Sequence, residues 1–317
     1  MAYLVTGGTG FIGSYIVRQL IQQGERVIVF DLSPASQSLE QLLTPTEMAK
    51  VRIIQGDILD FPHLIRTVQE FEVDRIIHMA TLMMQASAAN PSLAVKVNCE
   101  GTNNLFEVAR ILRLKKIVWA SSAAVFGGRR KHPEEYLPND APHYPANVYS
   151  ACKSFNENMA EYYFAAYGLD SNAPRFGHVY GLGQRGGLSA SWNEELVIKP
   201  ALGRPGRVPL GDSVLNWLYA EDAARVTVMA SKVTKPNVRA FNVGGDLCSL
   251  RDAAGYVREL LPDANITLEP GSGWAASNLD TKLTEGEIGF KPQWSIREGL
   301  RETVNAVRKL YKLPPVS

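Results

Sequence analysis

A tyrosine and a lysine four positions apart form the arrangement in this chain best suited to moving a proton. The segment Tyr149-Ser-Ala-Cys-Lys153 places a phenol and an ammonium on one face of a helix. A free tyrosine has a pKa of about 10, too high for a base at neutral pH, but a neighbouring ammonium favours the phenolate. The pair is therefore a candidate acid/base, with an ordinary pair on a helix surface as the alternative.

A glycine turn near the start of the chain could hold a dinucleotide. Gly7, Gly10 and Gly13 lie between a strand predicted over residues 2–6 and a helix predicted over 11–23. In a first βαβ turn, such glycines let the backbone approach a pyrophosphate, and the helix N-terminus supplies free N–H groups. The spacing is GxxGxxG rather than GxGxxG, and a plain tight turn is the alternative.

An acidic residue closes the second predicted strand, residues 26–31. Asp31 there can accept the ribose hydroxyls of an adenosine, and its charge would repel a 2′-phosphate. Residues 32–34 offer no arginine that could neutralise such a phosphate. We therefore expect NAD rather than NADP as the cofactor, with an Asp that only caps a loop as the alternative.

Strands and helices alternate through the first 180 residues, which is typical of a parallel sheet with helices on both faces. We predict an α/β fold, with a Rossmann-type doubly wound parallel sheet over residues 1–180 that binds NAD. A smaller, mostly helical substrate region follows over 181–317, with some chain crossing back to the sheet and a substrate cleft between the two regions. Further strands are predicted at 51–55, 74–79, 116–120 and 170–176, and helices at 61–71, 91–112, 149–167, 191–199, 221–231, 249–261 and 296–311.

Composition argues against several classes of protein. The net charge of +1 over 317 residues gives no electrostatic footprint for nucleic acid, and no apolar run reaches membrane-span length. Cys99, Cys152 and Cys248 are far apart and odd in number, which favours reduced thiols over a disulfide framework. The five histidines lack a metal-ligand spacing, and a strand from residue 2 leaves no room for a signal peptide. We expect a cytoplasmic protein without a metal ion.

Along nearly its whole length the chain resembles the extended short-chain dehydrogenases/reductases of the NAD-dependent epimerase/dehydratase family. The resemblance implies that Tyr149 is the acid/base and that Lys153 also holds the nicotinamide ribose. It further implies that Ser122, or its neighbour Ser121, is a second ligand of the substrate oxygen. The matching segments are Gly7–Gly13, Gly56–Ile58, His78–Ala80, Asn98–Thr102, Ser121–Gly127, Tyr149–Lys153 and Arg175–Gly181.

The same resemblance assigns further contacts. Asn98 would support the ribose and Lys153, or be a polar residue on a packed helix. His178 lies where relatives often place an Asn near the substrate, or has a loop role, and His78 is expected to be structural. The methionines after residue 78 would line an apolar wall or pack in the core. We expect cofactor contacts from Gly7, Gly10, Phe11, Ile12, Gly13, Asp31, Leu32, Asp57, Ile58, Met79, Ala80, Thr81, Asn98, Tyr149, Lys153, Phe176 and His178, and substrate contacts from Met83, Ser122, Ala123, His178 and Arg185.

The chain departs from the family at positions that recognise nucleotide sugars. Epimerases usually hold the substrate diphosphate with two arginines, and this chain has Leu215 and Glu269 there. Arg185 and Arg207 could substitute. Dehydratases carry Asp-Glu after their catalytic Ser or Thr, whereas two alanines follow Ser122.

These departures favour a simple NAD-dependent dehydrogenase over the sugar-nucleotide enzymes. We predict hydride transfer between the nicotinamide and a secondary alcohol or ketone of a small polar substrate, as in the short-chain L-threonine and sugar-acid dehydrogenases. A nucleotide-sugar 4-epimerase with bound NAD is the first alternative. A non-catalytic NAD-binding redox sensor is the second, but a sensor has no need of an activated phenol.

Two helices carry more apolar surface than one sheet can cover, which predicts a homodimer. Helices 91–112 and 149–167 have apolar side chains on more than one face. In the family that the chain resembles, the equivalent helices pair across a two-fold axis into a four-helix bundle. On the second helix the residues in excess are Phe155, Met159, Tyr162, Tyr163, Phe164 and Tyr167.

Overall fold

A parallel sheet forms the centre of the chain. The computed structural model describes residues 1–35, 37–128, 131–132, 134–273 and 278–317. Eight strands of this described part pair in parallel, which confirms the predicted doubly wound α/β fold. From one edge to the other they are β12 (Ala240–Val243), β8 (Ser171–Phe176), β5 (Lys116–Trp119), β4 (Arg75–His78), β1 (Ala2–Thr6), β2 (Arg26–Asp31) and β3 (Val51–Gln55), with β6 (Ser121–Ser122) paired to β8.

The central strand β1 is buried on both faces, as its continuous apolar sequence requires. Tyr3 and Val5 enter one apolar cluster, and Leu4 between them enters another. Because successive side chains of a strand point to opposite faces, the two clusters are the layers that pack helices onto either side of the sheet. The strand order reverses between β1 and β4, which is where sheets of this kind open a ligand crevice.

Helices cover both faces of the sheet, close to the predicted bounds. The predicted helix 91–112 differs, because a π-helical turn at Lys96–Glu100 interrupts it. Such turns are frequent at functional sites, and this one carries the buried side chain of Asn98. The helices of the first 170 residues are α1 (Phe11–Gln22), α2 (Gln37–Leu42), α3 (Pro45–Met48), α4 (Phe61–Glu70), α5 (Met84–Ala89), α6 (Pro91–Val95), α7 (Gly101–Ile111) and α8 (Val148–Tyr167).

The later part of the chain has its own apolar cluster, built around Trp217, Leu250 and Leu300. Short strands accompany its helices, which sequence periodicity did not predict because most are three or four residues long. In the described residues no helix is long and apolar enough to cross a membrane. The elements are β7 (Tyr136–Leu137), β9 (His178–Tyr180), β10 (Gly206–Val208), β11 (Val214–Tyr219), β13 (Asp246–Ser249), β14 (Ile266–Leu268) and β15 (Asn278–Leu279), with α9 (Gly187–Asn193), a π-helical turn (Glu194–Ile198), α10 (Lys199–Ala201), α11 (Ala220–Lys232), α12 (Leu250–Leu260), α13 (Lys282–Ile288) and α14 (Ile296–Leu310).

Candidate active site

The glycine turn joins β1 to α1 and leaves no space for side chains. Gly7 has φ +68°, and a Cβ there would come within 2.5 Å of the Ala80 nitrogen. A Cβ on Gly13 would collide with the carbonyl oxygen of Gly7. Helix α1 begins at Phe11 and continues through Ile12, with Gly10 as an N-cap that provides no side-chain hydrogen bond. The first turn therefore keeps backbone N–H donors free for an anion such as a phosphate.

Asp31 at the end of β2 is tied to the glycine turn. Its Oδ2 accepts hydrogen bonds from the Thr9 nitrogen (3.2 Å) and the Thr9 hydroxyl (2.6 Å). Its Oδ1 accepts one from the Ser33 nitrogen (3.2 Å), and the side chain of Leu32 beside it is exposed. The carboxylate is thereby fixed at the carboxyl edge of the sheet with acceptor capacity left for a hydroxyl group.

Asn98 is buried and holds the loop that follows β4. Its Oδ1 accepts from the Thr81 hydroxyl (2.9 Å) and the Leu82 nitrogen (2.8 Å), and its Nδ2 donates to the Leu82 carbonyl (3.0 Å). Its backbone carbonyl accepts from Asn156 of α8 (2.8 Å). Asn98 thus links the loop to the helix that carries Tyr149, and both polar atoms of its side chain form hydrogen bonds with the loop.

The other residues predicted to contact the cofactor lie at the same edge of the sheet. Asp57 and Ile58 follow β3, Met79 and Ala80 follow β4, and Phe176 ends β8. Because the strands are parallel, these positions share the carboxyl end of the sheet with the glycine turn. The structure thus brings the predicted cofactor residues to one edge.

Helix α8 brings the predicted catalytic groups together. Asn147 and Ser150 cap its first turn reciprocally, which fixes Tyr149 at its start. The Tyr149 phenol shares a hydrogen bond with Ser122. The Lys153 ammonium donates to the Ala120 carbonyl (2.7 Å) and lies 5.5 Å from the centre of the Tyr149 ring.

Burial, more than charge, sets the protonation of these two groups. It raises the pKa of Tyr149 to about 12, and the hydrogen bond from Ser122 offsets only part of that rise. Burial also lowers the pKa of Lys153 to about 8, against the opposing effects of Cys152, Cys99 and Glu157. The neighbouring ammonium, expected from the sequence to favour the phenolate, does not offset this burial, so the chain's own groups leave Tyr149 as a neutral phenol.

The structure distinguishes the two serines of β6, the short strand that follows β5. Ser122 reaches Tyr149, and its Oγ also accepts from the Ala124 nitrogen (3.1 Å). The Ser121 hydroxyl instead donates to the buried carboxylate of Glu157. The two hydroxyls thus reach different residues of α8, and Ser122 is the one that contacts the phenol.

His178 begins β9 as a neutral ring held on several sides. Its Nδ1 lies 2.8 Å from the Ser189 hydroxyl, which accepts from Gln184 (2.8 Å). The ring packs edge-to-face with Trp217 and Trp192, at centroid distances of 4.7 and 5.9 Å. Burial lowers its pKa to about 3, and its buried Nε2 has no hydrogen-bond partner among the described residues.

The remaining predicted substrate residues are more dispersed. Met83 is exposed before α5, and Ala123 begins the 3-10 turn Ala123–Phe126. Arg185 donates to Oε1 of Gln37 (2.6 Å) on α2, the helix that follows β2, so it lies towards the Asp31 side. His78 is buried with one ring nitrogen on Thr6 and the other on Thr102, as expected of a structural histidine.

The two positions that lack the family's arginines are occupied in ways that do not favour an anion. Leu215 is buried in β11 as part of an apolar cluster. Glu269 forms an ion pair with Arg207, one of the two arginines that could have substituted. A carboxylate there neutralises the cation that a diphosphate would need.

With this geometry established, the chain can be compared with known proteins. The model of the NAD dependent epimerase/dehydratase family matches residues 3–244. The UDP-glucose 4-epimerase of Mycolicibacterium smegmatis is 30% identical over 97% of this chain and 99% of its own length. The UDP-glucose 4-epimerase of Thermus thermophilus, solved with NAD, is 27% identical with a TM-score of 0.84, over 97% of this chain and 99% of its own. The L-threonine dehydrogenase of Phytophthora infestans, 23% identical over 99% of this chain and all of its own, shares the fold with a TM-score of 0.84.

The chain belongs to the NAD dependent epimerase/dehydratase family, within the extended short-chain dehydrogenases/reductases. It is an enzyme, and its cofactor is NAD. The glycine turn fits this cofactor. Its backbone is closely packed without room for side chains, the first N–H groups of α1 are free, and Asp31 is fixed beside them. Relatives with this fold include both epimerases and dehydrogenases, so family membership alone does not assign the reaction.

Proposed function

We propose that the chain is an NAD-dependent dehydrogenase that acts on a secondary alcohol, or its ketone, in a small polar substrate. The observation that carries this proposal is the grouping of Ser122, Tyr149 and Lys153 at the carboxyl edge of the sheet that also bears the glycine turn. NAD supplies a nicotinamide carbon that accepts hydride from an alcohol carbon and returns it to a carbonyl.

The glycine turn and Asp31 would hold the adenosine half of NAD. Free N–H groups at the start of α1 suit the pyrophosphate, and the carboxylate of Asp31 suits the ribose hydroxyls. Lys153 would bind the nicotinamide ribose with the donors that Ala120 leaves unused.

Tyr149 would move the proton that accompanies the hydride. As a neutral phenol it can donate a proton to a carbonyl oxygen, and in the oxidation direction its phenolate form takes the proton of the alcohol. Ser122 would bind the same substrate oxygen and hold the phenol in place, and the neighbouring ammonium would favour the phenolate when the proton leaves.

A small substrate is supported by the two positions that recognise diphosphates in relatives. Leu215 is buried and apolar, and Glu269 pairs with Arg207. His178, whose Nε2 has no partner in the described part of the chain, would offer a polar contact to a substrate oxygen.

A nucleotide-sugar 4-epimerase is the second candidate. It is favoured by the 30% identity with the M. smegmatis UDP-glucose 4-epimerase over nearly the whole of both chains. The two candidates differ in whether NADH accumulates, because an epimerase returns the hydride to its substrate within one turnover.

A substrate panel distinguishes the candidates. Small hydroxy acids, amino alcohols such as L-threonine, free sugar derivatives, UDP-glucose and UDP-galactose would each be incubated with NAD. Absorbance would report NADH, and thermal unfolding would report binding, since a ligand of the native state raises the melting temperature. We expect NADH from at least one small alcohol and no thermal shift from UDP-sugars. Exchange of the glucose and galactose forms without net NADH would establish the epimerase instead.

A further inference from the structure

Three consecutive residues that follow β5 each contact one residue of α8. The contacts on the helix are four positions apart, so they form a row along a single helix face. Two of these helix residues belong to the proposed catalytic group, and the third has no role in the proposed reaction. The pairs are Ala120 with Lys153, Ser121 with Glu157 and Ser122 with Tyr149.

The pair of Ser121 with Glu157 is anchored by a buried ion pair. The Arg175 guanidinium donates to both carboxylate oxygens of Glu157, from Nε to Oε1 (2.9 Å) and from the terminal nitrogen to Oε2 (2.6 Å). Arg175 lies on β8 directly opposite Ser121 on β6. His143 approaches the same carboxylate at 3.4 Å, and Arg175 also donates to the Asn139 carbonyl (2.6 Å). One carboxylate thus joins α8, β6 and β8.

We propose that Glu157 and Ser121 are positioning residues for the reaction, which rests on the function proposed above. They touch neither the reacting atoms nor Tyr149. Asn156 holds α8 to the segment around Asn98, whereas towards residues 120–122 the helix is held by the hydrogen bonds at Tyr149, Lys153 and Glu157. A charge-assisted third contact one turn further along fixes the helix, so that the phenol stays against Ser122. Displacement of a catalytic group by about 1 Å can cost about 10²-fold in rate.

The variant Ser121→Ala removes the hydrogen bond between Ser121 and Glu157 without breaking the ion pair of Glu157 with Arg175. We expect kcat on the substrate found in the panel to fall about tenfold, with KM and the Kd for NAD within about twofold of the wild type. Glu157→Gln should lower kcat at least as much. Because both changes act on the same contact between Ser121 and Glu157, the double variant should be no slower than Glu157→Gln alone, as a double-mutant cycle would show.

The control variant is Asp170→Asn, which breaks a buried ion pair at the other end of β8. Asp170 accepts from the buried Lys116 ammonium (2.7 Å) and lies just before the strand. This change should lower the melting temperature and leave kcat unchanged well below it. A purely structural role for Glu157 and Ser121 would make all three variants behave alike.

Hydrogen exchange supplies a measurement that needs no substrate. In the NAD-saturated protein, Ser121→Ala should increase amide exchange in residues 151–157 about tenfold, and Asp170→Asn should not. Unchanged exchange there, or unchanged kcat, would overturn the positioning role. Tyr149→Phe run in parallel separates the two proposals, because full activity in that variant would contradict the proposed function itself.

Discussion

At the proposed catalytic residues, burial disfavours both charged forms that the proposed chemistry uses. Tyr149 becomes harder to deprotonate and Lys153 easier. The two shifts leave a neutral phenol beside an ammonium that is lost in mildly alkaline solution. The chain's own groups are therefore set for donation of a proton to a carbonyl near neutral pH.

The pH dependence of carbonyl reduction follows from the lowered pKa of Lys153. Its ordinary value of 10.5 falls to about 8, so the ammonium is present below about pH 8 and is lost above it. We expect kcat/KM for NADH, which reports the free enzyme, to be level below about pH 8 and to fall about tenfold per pH unit above it. A plateau extending to pH 10 would show that the Lys153 charge is not required.

Cofactor preference can be tested at Asp31 without loosening the glycine turn. Because Thr9 donates to this side chain, Asp31→Asn keeps an acceptor there while removing the charge. Combined with Leu32→Arg, it should shift the ratio of kcat/KM values from NAD towards NADP, since a repulsion is lost and a phosphate partner is gained. Leu32→Arg alone is the control and should shift the ratio less. A wild type that prefers NADP would contradict the assignment.

At the scale of elements, sequence periodicity predicted the strands and helices whose apolar spacing is set by burial against the sheet. Strand β1 and helix α1 lie within a residue of their predicted bounds because apolar spacing and glycine punctuation coincide there. The π-helical turn around Asn98 was not predicted, and Asn98 within it hydrogen-bonds a loop sixteen residues away in sequence, a contact that local periodicity does not encode.

In the candidate site, too, local spacing was predictable from the sequence and contacts between distant segments were not. Motifs identified Tyr149 and Lys153, since their spacing is local. They favoured Ser122 with Ser121 as the alternative, because the choice depends on which of the two hydroxyls reaches Tyr149 on α8. The contacts of Glu157 with Ser121 and Arg175 were also missed. Its position four residues after Lys153 places it on the same helix face, which could have pointed to it. Its partner Arg175 on β8 depends on the register of the sheet, which the sequence does not show.

The turn between β1 and α1 gives a prediction at this scale. A Cβ on Gly13 would collide with the Gly7 carbonyl, so Gly13→Ala should displace the start of α1 and weaken NAD binding by more than about tenfold. Calorimetric titration measures this. The matched control is Gly255→Ala in α12, where a Cβ meets open space and helix propensity should raise stability by about 1 kcal/mol. Equal NAD affinity in both variants would contradict the tight-turn account.

At the scale of the whole molecule, α8 exposes aromatic side chains on two of its sides. Phe155, Tyr162, Phe164 and Tyr167 are each at least 36% exposed, which is unusual for large apolar side chains on one helix. A two-fold interface that brings this helix against its copy would cover these side chains, and we therefore propose a homodimer.

Light scattering tests the homodimer directly. At micromolar concentration we expect a mass near twice 34.9 kDa. Tyr162→Glu with Tyr167→Glu should give a folded monomer, because the charges would be buried at the interface. The control is Tyr311→Glu on the exposed C-terminal segment, which should leave the mass unchanged. A wild type that runs as a monomer would rule out the interface.

The central claim is that the Tyr149 phenol carries the proton while NAD carries the hydride. The most direct measurement is the single-turnover rate of NADH formation by Tyr149→Phe, with the small alcohol that the wild type oxidises and with NAD saturating. We predict an unchanged fold and Kd for NAD, and a rate lower by about 10²–10⁴-fold, the range for a general acid–base group. A rate close to that of the wild type would contradict the account.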